Sequence, residues 1–459
     1  MTMRHPTYLT YPARELAAVK PRLGCWIIPR IVCHRHGVTV TASPGSRKEP
    51  RTGVLAWGWL RTVAGSVNFP FVKNVPRTFR GGLHVSSEFL TGSGAGVAAH
   101  YGDPLAEQRE LAAGSAIVDL SHRSVLTISG PDRLSWIDSL TSQSVACLAP
   151  GESSETLLLD GNGRIEYAVR LIDDGVVLWL LLEQEEAGGL LTWLSSMRFM
   201  LRVELADRST DFATVGTLGR PALPVAAPHG VPLAWRDPWM SVTRGGHQYA
   251  IAKRHPAAGW TYSELLLPRT ELAGLATSGI PLAGLIALEA LRVAVWRPRF
   301  ATEVDEKSIP HELDWLRTAV HLSKGCYRGQ ETVAKVHNLG HPPRRLVMLY
   351  LDGSDTVLPS RGDDVVLGEK TVGQVTSAAR HYELGSIALA VIKRGTDPTS
   401  ALLVRTGGLE LPATQDVIVP PDAGASATVP RLPRLGAAVV HLIWRRRTQV
   451  GANPVILTG

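Results

Sequence analysis

From residue 103 onward the apolar positions alternate between two periods. Leu105, Arg109, Leu111 and Ala112 recur at helical spacing and predict a helix over 103–116 that leads into Ile117-Val118-Asp119-Leu120. A strand over Val125–Ile128 follows, then a helix opened by Pro131-Asp132 and carrying Leu134, Trp136, Ile137 and Leu140. Thr156–Leu159 and Tyr167–Leu171 flank Asp160-Gly161-Asn162-Gly163, a sequence suited to a tight hairpin turn. Val176–Leu182 reads as a buried strand, 187–200 as a helix and Arg202–Leu205 as a strand. After the Pro- and Gly-rich stretch 219–246, helices are expected over 271–277 and 282–295. From Arg345 the pattern turns to short β segments at Leu346–Tyr350, Val365–Leu367, Thr371–Val375 and Ser386–Val391, which predict a small barrel or sandwich. The fold class is therefore α+β.

Charge separates the ends from this body. Residues 1–80 hold 13 of the 48 Lys and Arg but only two acids, Glu15 and Glu49, so the remainder carries 35 basic against 39 acidic residues. The net charge of +7 belongs to the N-terminal stretch and gives no basic surface to the body, so direct nucleic-acid binding is not expected. Residues 1–92 read as a disordered extension. It is a basic arm for RNA, an organellar transit segment, or the product of a start set too early, with the true start near 85–97. The 419–459 stretch, with Arg445-Arg446-Arg447, reads as an appended tail. No apolar run reaches the roughly 18 residues that span a membrane. Four cysteines, Cys25, Cys33, Cys147 and Cys326, make no disulfide framework and fit a reducing, cytoplasmic compartment.

One run holds concentrated chemistry: Lys324-Gly325-Cys326-Tyr327-Arg328-Gly329-Gln330-Glu331. Glycines allow backbone conformations that a β-carbon forbids, and Lys324 and Arg328 beside Cys326 would favour its thiolate. The alternative is a small buried side chain in a tight loop. A metal site built from Cys326, His311, His337 and His341 matches no known ligand spacing, and no metal is expected.

This run, with Ile309-Pro310-His311-Glu312 before it and Val336-His337-Asn338-Leu339-Gly340 after it, resembles the signature of the YgfZ family of folate-binding proteins, relatives of the glycine-cleavage T-protein. Gly130-Pro131-Asp132-Arg133-Leu134, Glu289-Ala290-Leu291-Arg292 and Val372–Ser377 extend the resemblance over about residues 93–418. It implies a T-protein-like fold, with two similar α+β halves at 93–220 and 221–340 around a central folate channel and a C-terminal β-barrel at 341–418.

The resemblance further implies tetrahydrofolate or a derivative as cofactor. Arg292 stands where T-proteins carry a folate-contacting arginine, and Glu264 in Trp260-Thr261-Tyr262-Ser263-Glu264 is a candidate pterin ligand whose alternative is an exposed strand-end glutamate. Tyr327, Gln330 and Glu331 are expected to line the pocket or fix the loop. Where T-proteins carry an Asp-Asp pair after the hairpin turn, this chain reads Arg164-Ile165-Glu166-Tyr167. Two functions follow. One is a folate-binding accessory factor for iron-sulfur cluster assembly or repair, and through iron-sulfur enzymes for tRNA modification, with Cys326 as its working thiol supported by Lys324 and Arg328. The other is a tetrahydrofolate-dependent aminomethyl- or methyltransferase using Glu166 or Asp160.

Overall fold

The computed structural model describes residues 96–353 and 357–427 and, as backbone alone, short strands at 77–78, 84–85 and 88–89. The expectations for most of 1–92 and for 428–459 fall outside these residues. After α1 (Pro104–Ala112) come β1 (Ile117–Asp119), β2 (Ser124–Ser129), α2 (Arg133–Leu140), β3 (Ser153–Leu159), β4 (Ile165–Asp173), β5 (Val177–Leu182), α3 (Gln184–Ser196), β6 (Glu204–Asp207) and β7 (Phe212–Thr217). Then follow β8 (Ala234–Arg236), β9 (Ser263–Pro268), β10 (Leu282–Ala283), α4 (Leu285–Ala294), α5 (Phe300–Glu303) and α6 (Gln330–Leu339). The last region holds β11 (Arg344–Leu351), β12 (Asp364–Leu367), β13 (Lys370–His381), β14 (Gly385–Lys393), β15 (Leu402–Thr406) and β16 (Leu409–Val417).

The first sheet has the order β6-β2-β5-β4-β3 and is antiparallel throughout. Period-2 alternation explains its two faces. Along β5, Leu178, Leu180 and Leu182 pack with Trp136 and Ile137 of α2 and Leu190 and Leu194 of α3, whereas Trp179 and Leu181 point into the central core. Both faces are covered, which is why this strand reads as continuously apolar.

The second sheet has the order β8-β9-β7-β1-β10, with only the β10–β1 pair parallel. It takes β1 and β7 from before residue 220 and β8, β9 and β10 from after it. A break at 220/221 therefore does not separate the two sheets. The stretch read as a linker contributes β8, and the helix expected from 282 starts at Leu285, because Leu282 and Ala283 pair with Ile117 and Val118 as β10.

Arg344–Val417 closes into a six-stranded antiparallel barrel in the order β11-β14-β13-β12-β15-β16. Its last two strands were not anticipated, although Gly407-Gly408 between alternating runs is a strong hairpin signal; both glycines take positive φ, +55° and +84°. No helix among the described residues is long and apolar enough to cross a membrane.

Candidate active-site cleft and cysteine loop

Where the two sheets and α4 converge, charged side chains line a narrow cleft of about 600 Å³ of atom-free space, part of it open to solvent. Glu264 on β9 is at its centre and fully buried, not the exposed strand-end residue considered above. Its Oε1 accepts from Arg123, from Arg170 Nη1 at 3.1 Å and from the Tyr262 hydroxyl at 3.1 Å. Its Oε2 has no hydrogen-bond partner among the described residues. Burial pushes the carboxyl upward, but Arg123 and Arg170 outweigh it and hold Glu264 below the usual glutamate range, so it is ionised at neutral pH. A buried carboxylate oxygen without a donor is costly and marks a place for a ligand N–H.

The walls are flat and apolar on one side. Trp260 stacks on Tyr262 with centroids 5.3 Å apart, and Trp235 stands edge-on to Tyr262 at 6.5 Å. On the other side, Glu183 at the start of α3 collects Arg299 at 2.8 Å, Arg123 at 3.5 Å and Arg170 at 3.7 Å. Arg297 joins Glu155 at 2.6 Å and Asp237 at 3.1 Å. Glu186, on the first turn of α3, is pushed up to about 7 by burial and by the neighbouring Glu183.

Arg292 also borders the cleft, but all five of its N–H hydrogens are taken. Nε and Nη2 donate to Glu289 at 2.9 and 2.8 Å, Nη1 to the Arg297 carbonyl at 2.6 Å and to Glu303 at 3.0 Å, and Nη2 to Ser377 Oγ at 2.7 Å. No donor is left for a folate, so the expected direct contact is replaced by a brace from α4 to the barrel strand that carries Ser377.

The cysteine run forms a separate surface loop leading into α6, and none of its residues lines the cleft. Cys326 is exposed. Lys324 turns inward: its ammonium donates to the carbonyls of Asp138, Thr141 and Gln143 at 2.5, 2.8 and 2.7 Å, sits over the Tyr327 ring, and has its pKa lowered by burial. Arg328 pairs with Glu166 at 2.5 Å and lies over the Trp193 ring. The charge support expected of these two cations at Cys326 is thus directed elsewhere. Tyr327 is buried in the central core, Gln330 Nε2 donates to the Lys324 carbonyl at 3.4 Å and Glu331 is exposed, so these three shape the loop rather than the cleft.

The loop clasps the β3–β4 hairpin. Gly329 has φ +83°, and a Cβ there would lie 2.6 Å from the Asp160 carbonyl oxygen. Asp160 itself holds the turn, with Oδ1 accepting from the amides of Asn162 and Arg164, both at 2.8 Å. The register slips by one residue at Glu166, since Leu158 faces Tyr167 while Leu159 faces Ile165. Both carboxylates considered for a transferase are therefore engaged, Asp160 in its own turn and Glu166 with Arg328.

Asp314, next to cleft residue Trp315, accepts the Tyr249 amide at 2.6 Å and is pushed up to about 7 by burial. Its φ of +54° is one that Asn tolerates well. The folded pKa lies above the unfolded one, so this group costs stability progressively as pH rises from about 4 to 7 and no further above that. Asp314→Asn is expected to match the wild type near pH 4 and to exceed it by on the order of 3 kcal/mol at pH 8, measured by urea denaturation across that range. A pH-independent difference would contradict this assignment.

Sequence reasoning missed Arg123, Arg170, Glu183, Arg297 and Arg299. The available signal was charge inside apolar runs, as in Val169-Arg170-Leu171 and Val295-Trp296-Arg297-Pro298-Arg299-Phe300.

The barrel, residues 344–420, matches the glycine cleavage T-protein C-terminal barrel domain. The chain is similar to the aminomethyltransferase of Symbiobacterium thermophilum, 26% identical over 312 residues that cover 64% of this chain and 82% of that protein. It is also similar to the aminomethyltransferase of Herpetosiphon aurantiacus, 26% identical over 309 residues covering 64% and 83%. The crystal structure of the glycine cleavage system aminomethyltransferase T from Bartonella henselae superposes with a TM-score of 0.58 at 18% identity, covering 74% of this chain and 95% of that one. The chain thus has a T-protein-like fold.

Proposed function

We propose that the protein binds tetrahydrofolate in the cleft around Glu264 and acts as an accessory factor in iron-sulfur cluster assembly or repair, with Cys326 as its reactive group. The observation that carries the folate reading is the ionised, fully buried Glu264 with one oxygen unpartnered among the described residues, beside the Trp260–Tyr262 stack. The donor set fits the group. Oε2 would accept from a ring N–H, Trp235, Trp260 and Tyr262 would cover the ring faces, and Arg123 and Arg170 would keep the carboxylate charged. When bound, the folate supplies a carrier for a one-carbon unit. The chain's own residues orient it and exclude water.

The accessory role rests on the resemblance of the 324–331 run and on the exposure of Cys326. It extends to tRNA modification only through iron-sulfur enzymes. Cytoplasmic location belongs to the same reading. The names of the relatives favour a second one, tetrahydrofolate-dependent aminomethyl transfer. Against it stands the engagement of Glu166 by Arg328, which leaves the hairpin without an unpaired carboxylate at that position.

Rescue of iron-sulfur enzyme activity in cells lacking this gene separates the two, at matched protein levels. Wild type and Glu166→Gln are expected to restore activity, and Cys326→Ser to lose at least about tenfold. Full rescue by Cys326→Ser with failure of Glu166→Gln would establish the transferase reading instead.

A further inference from the structure

A second pocket shares Arg123 with the cleft. Ser121, His122, Arg123, Ser124, Ser209 and Arg269 form its walls around about 660 Å³ of atom-free space that is partly open solvent, with Gln184 at its rim. Among the described residues, no carboxylate lines it. The acids around it are engaged: Glu183 and Glu264 pair with Arg123, Asp119 accepts the Ser121 amide, Asp207 the Ser209 amide, and Asp211 pairs with Arg208. Arg123 directs its Nη groups to Glu264 and Glu183 on the cleft side, while its Nε is buried with no partner among the described residues. His122 is 9% exposed, and neither of its ring nitrogens has a hydrogen-bond partner among the described residues. Burial, aided by Arg123, lowers its pKa to about 4, so the ring is neutral and offers one N–H donor. Arg269 is fixed at the opposite wall by the carbonyls of Ser209 and Ser121 at 3.0 and 2.9 Å.

Buried polar nitrogens left unpaired among the described residues in two adjacent residues need a partner, and two guanidinium groups with three hydroxyls in the lining set its sign. We propose that this pocket binds a tetrahedral oxyanion of the phosphate or sulfate class, either free or as a small monoester. The four oxygens would accept from His122, Arg123 Nε, Arg269 and the serine hydroxyls. This site shares Arg123 with the cleft, where its Nη1 holds Glu264.

The test is calorimetric titration of the full chain with inorganic phosphate and, separately, with glycerol 3-phosphate, alongside melting curves with chloride at matched ionic strength. Saturable one-site binding and a melting-point rise not reproduced by chloride are expected. Equal responses to the two probes identify the bare anion as occupant, and a stronger response to the monoester identifies a phosphorylated small molecule. Arg269→Gln should abolish binding. Because that change removes two bonds to backbone, Gln184→Glu carries the decisive arm: exposed and at a helix start, it leaves folding intact, yet its charge at the rim should weaken binding about tenfold. Wild-type affinity in a folded Gln184→Glu protein, or a chloride response equal to that of phosphate, would overturn the site.

Discussion

Truncating Glu264 to Ala is expected to lower the stability of the protein by about 3–5 kcal/mol, the loss typical of breaking a buried ion pair from one side. Arg123 and Arg170 both converge on Glu264 Oε1, and Arg123 is 5% exposed, so neither can move to water without repacking. Glu183 cannot replace the lost partner. It already receives Arg299 at 2.8 Å, and its contacts to Arg123 and Arg170 are longer, 3.5 and 3.7 Å. Chemical denaturation of the purified protein measures the loss. A change below about 1 kcal/mol would mean that the cleft is hydrated enough to screen the two guanidinium groups.

The second large effect is expected at Gly329. Its φ of +83° is strained for any residue with a β-carbon, and the added carbon would meet the Asp160 carbonyl oxygen at 2.6 Å and Leu159 Cβ at 3.0 Å. Gly329→Ala should therefore lift the cysteine loop from the hairpin, at a cost of about 2 kcal/mol. The Arg328–Glu166 pair cannot prevent this, because with its side chains 40% and 34% exposed it belongs to the class of surface pairs worth about 0–1 kcal/mol. Hydrogen exchange should rise at the start of α6 and in the 160–163 turn while the barrel is unchanged. Unaltered protection at both places would show that the close approach does not hold the loop.

The parts of the fold that sequence displayed are those where a local pattern and the tertiary environment agree. Leu134, Trp136 and Ile137 repeat at helical spacing and cover one sheet face, and Asp160-Gly161-Asn162-Gly163 turns between β3 and β4. The second sheet was harder to read. Its order interleaves strands from 117 to 283, and β10 is only two residues long, so pairing is fixed by contacts distant in sequence. The cleft was legible through Glu264 and Arg292, which both line it. Its other cations occupy strand and loop positions that look solvated one at a time and become buried only when β4, β9 and α4 converge. The cysteine run was legible as a loop, but the direction of Lys324 was not, because its partners are carbonyls of 138–143, which carry no sequence signature.

The most direct test of folate binding in the cleft is tetrahydrofolate titration followed by tryptophan fluorescence, since Trp235 and Trp260 form its walls. Wild type and Glu264→Gln are compared after circular dichroism has established that both are folded. The amide places an NH2 group against either the arginines or the ligand, so saturable quenching in the wild type and at least about a hundredfold weaker binding in the variant are predicted. Equal affinity in the two folded proteins, or no saturable quenching in the wild type, would contradict the assignment of the cleft to folate.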